Sequence, residues 1–412
     1  MSRTEEMVQD RVGPYNQEQD VPDGYKRTEV GVIPEDWEVT KLENAVSSIQ
    51  SGKSKLYKEE GEYPFYGSKG LIGYSNTYDY SGANILIARV GSYAGSIYSV
   101  SGRYCVSDNT IILVNRDYDQ SFLFHALKYL GISNIVFGSG QPLITGTQLK
   151  KIKATFPPLP EQRAIATALS DVDHLLESLD KLIAKKRAIK QAAMQELLTG
   201  KTRLPGFSGE WEKKRLGDVL RVCYGRSQSG IEKDNGRYPI LATSGEIGRT
   251  DTPLYEKPSV LIGRKGTIDE PQYMDTPFWS VDTLFYTAIE PSNNARFIYY
   301  KFITIPWKNY NEASGVPSLH PNTIENILID TPELEEQDAI VNILKDMDDD
   351  IEDLKKRRKK TQYVKQGMMQ ELLTGRTRLN LDFEGLKDGH DSKSGDQGNH
   401  NSDKRNETSR PY

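Results

Sequence analysis

Hydrophobic and polar positions alternate with two periods along this chain, and the longer-period stretch is written twice. Between residues 157 and 204, Ile165, Leu169, Val172, Leu176, Leu179 and Ile183 step by four and three. Between residues 332 and 379, Ile340, Leu344, Met347, Ile351 and Leu354 fall on the same positions. That is an a/d heptad seam, narrow enough to call for a partner helix. Pro157, Pro158 and Pro160 in the first copy, and Pro332 in the second, cannot sit inside a helix, so each helix is predicted to start just after them. Gly200 and Gly375 stand where a C-terminal cap belongs. Glu161 to Thr199 spans about 39 residues, roughly 58 Å of helix. The two stretches align without a gap: Glu161 with Glu336, Gln162 with Gln337, Ile165 with Ile340, Met194 with Met369. A repeat this long means two copies of one module, and the obvious partner for each helix is the other.

Ahead of each helix lies a segment with a shorter period. Apolar, β-branched runs such as Asn84–Arg89 and Ser259–Arg264 are bounded by Gly, Ser, Asn and Asp, which predicts strands and turns. Residues 121–130 and 295–303 are aromatic-rich and read as short helices, which makes each module α/β. Shared anchors recur at one offset: Gly70 with Gly245, Arg89 with Arg264, Ser139-Gly140 with Ser314-Gly315. Between the anchors the residues differ, as in Phe65-Tyr66-Gly67-Ser68-Lys69 against Ile240-Leu241-Ala242-Thr243-Ser244. Trp37 and Trp211 open the two modules and are assigned to packing. The predicted division is an N-terminal arm (1–24), a first globular domain (25–157), a first long helix (158–203), a second globular domain (204–331), a second long helix (332–379) and a polar tail (380–412). The tail has almost no apolar content and is expected to be disordered.

Composition narrows the function. A chain of 412 residues exceeds one ordinary core. Two cysteines, Cys105 and Cys223, make no disulfide framework and suit a reducing cytoplasm. No apolar run is long enough for a membrane span, and the acidic start does not read as a signal peptide. The net charge of −5 equals that of residues 1–36 alone, with four basic and nine acidic residues, so the remainder is balanced and can carry basic patches. Ser51-Gly52-Lys53-Ser54 holds the end of a phosphate-loop motif but lacks its first glycine, since Ser47 stands there. No dinucleotide fingerprint, amino-methyltransferase tetrapeptide, metal-ligand spacing or serine elbow occurs, so nothing points to catalysis or a metal site in this chain.

What remains is a binding surface. In the first module the candidates are Lys53, Lys55, Tyr66, Ser68, Lys69, Arg89, Tyr93 and Gln141; in the second they are Arg226, Gln228, Thr243, Ser244, Arg264 and Lys265. Such side chains read base edges and hold phosphates, although each also fits a solvated surface. Arg89 and Arg264, at the ends of equivalent strands, fit equally well as ties for loop carbonyls. The run Lys355–Lys360 reads first as a solvated helix face, with Asp348-Asp349-Asp350 one turn earlier as i,i+4 partners.

The order of a Gly-Val-Ile-Pro-Glu-Asp-Trp opening (31–37), a variable domain, Pro-Pro-Leu-Pro-Glu-Gln (157–162), a long helix, and then the unit again resembles the specificity subunits of type I restriction–modification systems. The resemblance covers about residues 25–380. It implies an α/β (α+β) chain of two target-recognition domains joined by two antiparallel helices in a coiled coil, with a pseudo-twofold internal repeat. It implies that each domain reads one half of a split, asymmetric site in double-stranded DNA and that the helix pair sets the gap. A spacer of roughly 58 Å matches about 17 base pairs. Two methyltransferase subunits carrying S-adenosylmethionine would bind around the helices, and motor–nuclease subunits using ATP and Mg would join for cleavage. This chain would itself be non-catalytic. The alternative from the residues alone is a coiled-coil scaffold with two adaptor domains that never touch DNA; a chain with an unrecognised catalytic site in the Ser139-Gly140 or Ser314-Gly315 loops is the third reading.

Overall fold

A computed structural model describes residues 21–135 and 142–379. Most of the N-terminal arm, the Ser139-Gly140 loop, Gln141 and the polar tail lie outside the described residues. The chain forms two compact units: residues up to Ser170 with those from Gln366 on, and Asp171–Lys365.

In the first unit, four antiparallel strands lie in the order Val46–Ser51, Thr110–Asn115, Asn84–Ala88, Ile97–Val100. Every residue of Asn84–Ala88 is buried, which is why that strand reads as an unbroken apolar run rather than an alternation. A second sheet runs Gly70–Ser75, Tyr63–Gly67, Arg103–Val106, Tyr80–Ser81, with Tyr63–Gly67 and Arg103–Val106 parallel. The helix Gln120–Leu130 starts on Asp119, whose side chain accepts from the Phe122 N–H, and ends on Gly131 in the left-handed region. The core joins Leu42, Ile85, Leu113, Phe122 and Phe156 to Ile165 and Leu169 at the start of the first long helix and to Leu372 and Leu373 at the end of the second.

The second unit repeats the plan. Its larger sheet runs Leu220–Tyr224, Leu284–Ile289, Ser259–Gly263, Gln272–Met274, and its smaller one Gly245–Thr250, Tyr238–Ala242, Trp279–Ser280, again with one parallel pair. The helix Ala295–Thr304 packs Phe297, Ile298 and Phe302 into a core with Met194 and Leu197 from the first long helix and Ile340 and Leu344 from the second. The predicted strands and short helices stand at 84–88, 259–263, 120–130 and 295–304, so both arginines fall just beyond their strands.

The long helices are Leu159–Leu197 and Leu334–Leu372, each of 39 residues. The first starts two residues ahead of the expected Glu161 and takes Pro160 into its first turn, where the missing N–H has no intrahelical acceptor anyway. Within the second unit the helices run antiparallel. Asp173 pairs with Lys365 at 2.5 Å, Asp180 with Arg358 at 2.5 Å, Lys186 with Asp350 at 2.8 Å and Lys190 with Asp348 at 2.5 Å, one partner rising in number as the other falls. Leu176, Leu179, Ile183 and Ile351 are buried along this line, while Val172, Met347 and Leu354 are half-buried. The expectation for the acidic triplet needs correcting: among the described residues its ion pairs do not go to the basic run, since Asp349 pairs with Lys345, four residues before it, while Asp348 and Asp350 reach across to the other helix. In the basic run, Lys355 and Lys356 pair with Glu352 and Asp353, and Arg358 crosses to Asp180.

Candidate nucleic-acid interface

Several of the predicted surface residues meet at one rim of each module, and the same backbone frame builds both rims. In the first module the strand Asn84–Ala88 delivers Arg89, whose N–H donates to the Asn109 carbonyl at 2.9 Å and whose carbonyl accepts from Ile144 N–H at 2.8 Å. In the second, Arg264 donates to Thr283 O at 2.8 Å and accepts from Leu319 N–H at 3.0 Å. The following turn needs glycine in both: Gly91 and Gly266 have φ of 80° and 91°, and their N–H groups meet Pro142 O and Pro317 O at 3.0 and 2.9 Å.

Beside each arginine sits a two-residue hairpin loop. Ser68-Lys69 links paired Gly67 and Gly70, and Thr243-Ser244 links paired Ala242 and Gly245. Gly70 and Gly245, the residues that close these loops, have φ of 87° and 101°, in the left-handed region that glycine accepts without strain. The Ser68 hydroxyl donates to Asn109 O at 3.0 Å, the Ser68 carbonyl accepts from the Tyr98 hydroxyl at 2.9 Å, and Lys69 lies over the exposed Tyr93 ring at 5.8 Å. In the second module Gln272 plays the bracing part, donating to the Ala242 carbonyl at 2.9 Å.

The third side of each rim is a strand end. Arg89 Nη1 donates to the Ser51 hydroxyl at 3.4 Å; Arg264 lies over the Tyr224 ring at 5.5 Å and donates to the Asp282 carbonyl at 3.0 Å. Gly52 and Gly225 follow, each so close to the carbonyls of the neighbouring strand that any Cβ would collide. Lys53 and Arg226 come next, then Lys55 and Gln228. Lys53 lies 5.8 Å from the Tyr80 ring centre, and burial raises the Tyr80 phenol above its ordinary range, which keeps it a hydrogen donor. Ser51 and Tyr224 are not among the predicted contacts, although the glycine after each, Gly52 and Gly225, was the available signal.

Not every candidate faces this rim. Tyr66 packs edge-on against Tyr104 at 5.9 Å inside the small sheet, and burial raises its phenol. Lys55 stands out on a loop beyond the rim, and Gln141 lies outside the described residues. The Ser51–Ser54 stretch has no phosphate-loop geometry. It closes a strand against neighbouring carbonyls, and Ser54 Oγ accepts from Val106 N–H and donates to Asp79.

Two rims of identical frame and different side chains are what a split reader of an asymmetric polymer requires. The family model for the type I restriction modification DNA specificity domain matches this chain twice, over residues 34–186 and 208–362. The chain belongs to that family. The MjaX and MjaVIII type I restriction enzyme specificity subunits of Methanocaldococcus jannaschii are 26% and 25% identical to it, over 87% and 85% of this chain and 97% and 95% of theirs. The S subunit of a type I system from M. genitalium shares the fold, with a TM-score of 0.65 at 18% identity over 86% of this chain and 98% of that one.

Proposed function

We propose that this chain is the DNA-addressing subunit of a type I restriction–modification complex, that each module reads one half of a split site in double-stranded DNA, and that the helix pair fixes the gap. The observation that carries this reading is the duplicated rim. Arg89 and Arg264 are placed by the same hydrogen bonds, but they face Ser51 and Ser68-Lys69 in one module and Tyr224 and Thr243-Ser244 in the other. Equal frames with unequal donors and acceptors read unequal half-sites. Further contacts come from Lys53, Tyr93, Arg226 and Lys265. The chain works in the cytoplasm, where its DNA is.

Methyl transfer belongs to two methyltransferase subunits, which hold S-adenosylmethionine, and cleavage to motor–nuclease subunits, which use ATP and Mg. Leu175, Leu182 and Ile189 recur every seven residues along the outside of the first long helix, exposed, and Val364 occupies the position in the second helix that matches Ile189. Such a stripe suits an amphipathic partner helix, and it is where a methyltransferase subunit docks.

The test is a map of methylated adenines in a methylation-free host expressing this chain with its cognate methyltransferase subunit. A split motif that disappears when this chain is omitted supports the reading. An assembled complex that adds no methylation would leave a scaffold that binds no DNA.

A further inference from the structure

Leu56 is the most exposed large apolar side chain among the described residues, at 86%, and it is held there by the fold. Two anchors pinch the chain on either side of it. On one side Ser54 N–H donates to Val106 O at 2.9 Å and Ser54 Oγ accepts from Val106 N–H at 3.0 Å. On the other, Lys58 and Tyr74 exchange both backbone hydrogen bonds at 2.9 Å. Only Lys55, Leu56 and Tyr57 lie between. The Tyr57 ring turns back onto Phe65, 5.4 Å between ring centres, and covers Gly73 so closely that a Cβ there would collide. The tip is therefore a braced three-residue projection that presents Leu56 outwards.

Its surroundings favour one occupant. The tip begins two residues after Lys53, on the strand end that forms one side of the first module's rim. Lys53, Lys55 and Lys58 flank it, and none of them is ion-paired among the described residues. The acids Glu59, Glu60 and Glu62 come only after the Lys58 anchor. A projecting leucine between unpaired lysines beside a base-reading rim has the chemistry of a side chain that wedges between stacked base pairs while its neighbours hold the phosphates. The second module has no counterpart: counted from Gly225 as Leu56 is from Gly52, the position is Ser229.

We propose that Leu56 is a wedge that opens one base step at or beside the half-site read by the first module, so that the DNA is deformed on one side of the split site only. This rests on the DNA-addressing reading above. The test uses the assembled complex of this chain with its methyltransferase subunit and duplexes carrying 2-aminopurine at successive positions. Unstacking at one step other than the methylated adenine should raise the fluorescence several-fold on binding. Leu56→Ala should abolish that rise and weaken binding about tenfold, Leu56→Met should retain both, and Ser229→Ala should change neither. Specific binding with no bright step outside the methylated adenine, or a step just as bright with Leu56→Ala, overturns the wedge while leaving the addressing role intact. Loss of methyltransferase assembly by Leu56→Ala in the absence of DNA also overturns it, because the tip would then be a protein contact. Absence of DNA binding by the wild-type complex sinks the addressing reading, and the wedge with it.

Discussion

Glu161 and Glu336 are buried carboxylates, 1% and 2% exposed, and each is held by a tryptophan and an arginine. Trp37 Nε1 donates to Glu161 Oε2 at 3.0 Å, and Arg378 grips both oxygens at 2.6 and 2.8 Å. Trp211 and Arg203 do the same for Glu336, at 3.1, 2.7 and 2.6 Å. A buried charge left without its partner costs about 3–5 kcal/mol. Arg203→Ala should therefore destabilise the second unit, and Arg378→Ala the first, in urea unfolding, by less than that because Trp211 and Trp37 still donate to the carboxylates; changing Glu161 to Gln alongside Arg378→Ala should recover part of the loss. Arg378 also binds Asp36, at 3.0 and 2.8 Å, and this hydrogen-bonded ion pair holds the Asp36 carboxyl below its ordinary range. The repeated Glu-Gln and Arg-Leu letters were legible in the sequence, but their purpose was not. Glu161 meets a tryptophan 124 residues before it and an arginine 217 residues after it, and no local pattern encodes either.

Lys301 shows a second kind of residue that periodicity cannot reveal. It is 7% exposed, donates to the Leu198 carbonyl at 2.8 Å, and lies over the Trp211 and Phe297 rings. Burial pushes its pKa down to about 8, with Asp330 opposing. The unfolded lysine titrates near ~10.4, so between those two values the unfolded chain binds the proton better and stability rises with pH, by roughly 3 kcal/mol in all from this group. Lys301→Met should flatten the stability curve between about pH 8 and pH 10, measured by denaturant unfolding; an unchanged slope would contradict the assignment. Above that window Tyr300, which burial and Asp348 raise, pulls the other way.

At the scale of elements, the long helices were the most legible feature, because a heptad repeated in register fixes both the period and the partner. Their ends moved by about two residues, since proline is tolerated in a first helical turn. Gly200 and Gly375 do more than cap. With φ of 69° and 70° they also lie against Trp211 and Trp37, within 3.2 and 3.3 Å of where a Cβ would stand. Exposed ion pairs such as Asp180–Arg358 add little stability, so the buried stripe holds the pair and the charges set its direction. Leu176→Asp with Ile351→Asp should separate the helices and abolish methyltransferase assembly, seen as lost helicity and lost co-purification. Leu182→Asp with Ile189→Asp should abolish assembly while leaving the isolated chain's circular dichroism unchanged. The small sheets were not legible, because strands such as Tyr80–Ser81 and Trp279–Ser280 are two residues long and one pair in each sheet is parallel across a long connection.

For the whole molecule, the repeat explains why a chain of net charge −5 can address a polyanion. Residues 1–36 alone account for that net charge, and the acids of the long helices are offset in cross-helix and i,i+3 or i,i+4 pairs, while the rims carry Lys53, Lys69, Arg89, Arg226, Arg264 and Lys265. The sequence disclosed that two modules share a scaffold and differ in their loops. It could not show that Ser68-Lys69 and Thr243-Ser244 are equivalent two-residue turns, because the pairing of Gly67 with Gly70 and Ala242 with Gly245 is a matter of register. Those turns allow the most direct test of independent reading. Ser68→Thr with Lys69→Ser gives the first module the second module's turn, and the adenine-methylation map of the resulting complex is then compared with that of the wild type. Altered or relaxed bases are expected in one half-site, with the other half-site and the gap unchanged. Changes in both halves, or in the gap, would show that the modules do not read separately.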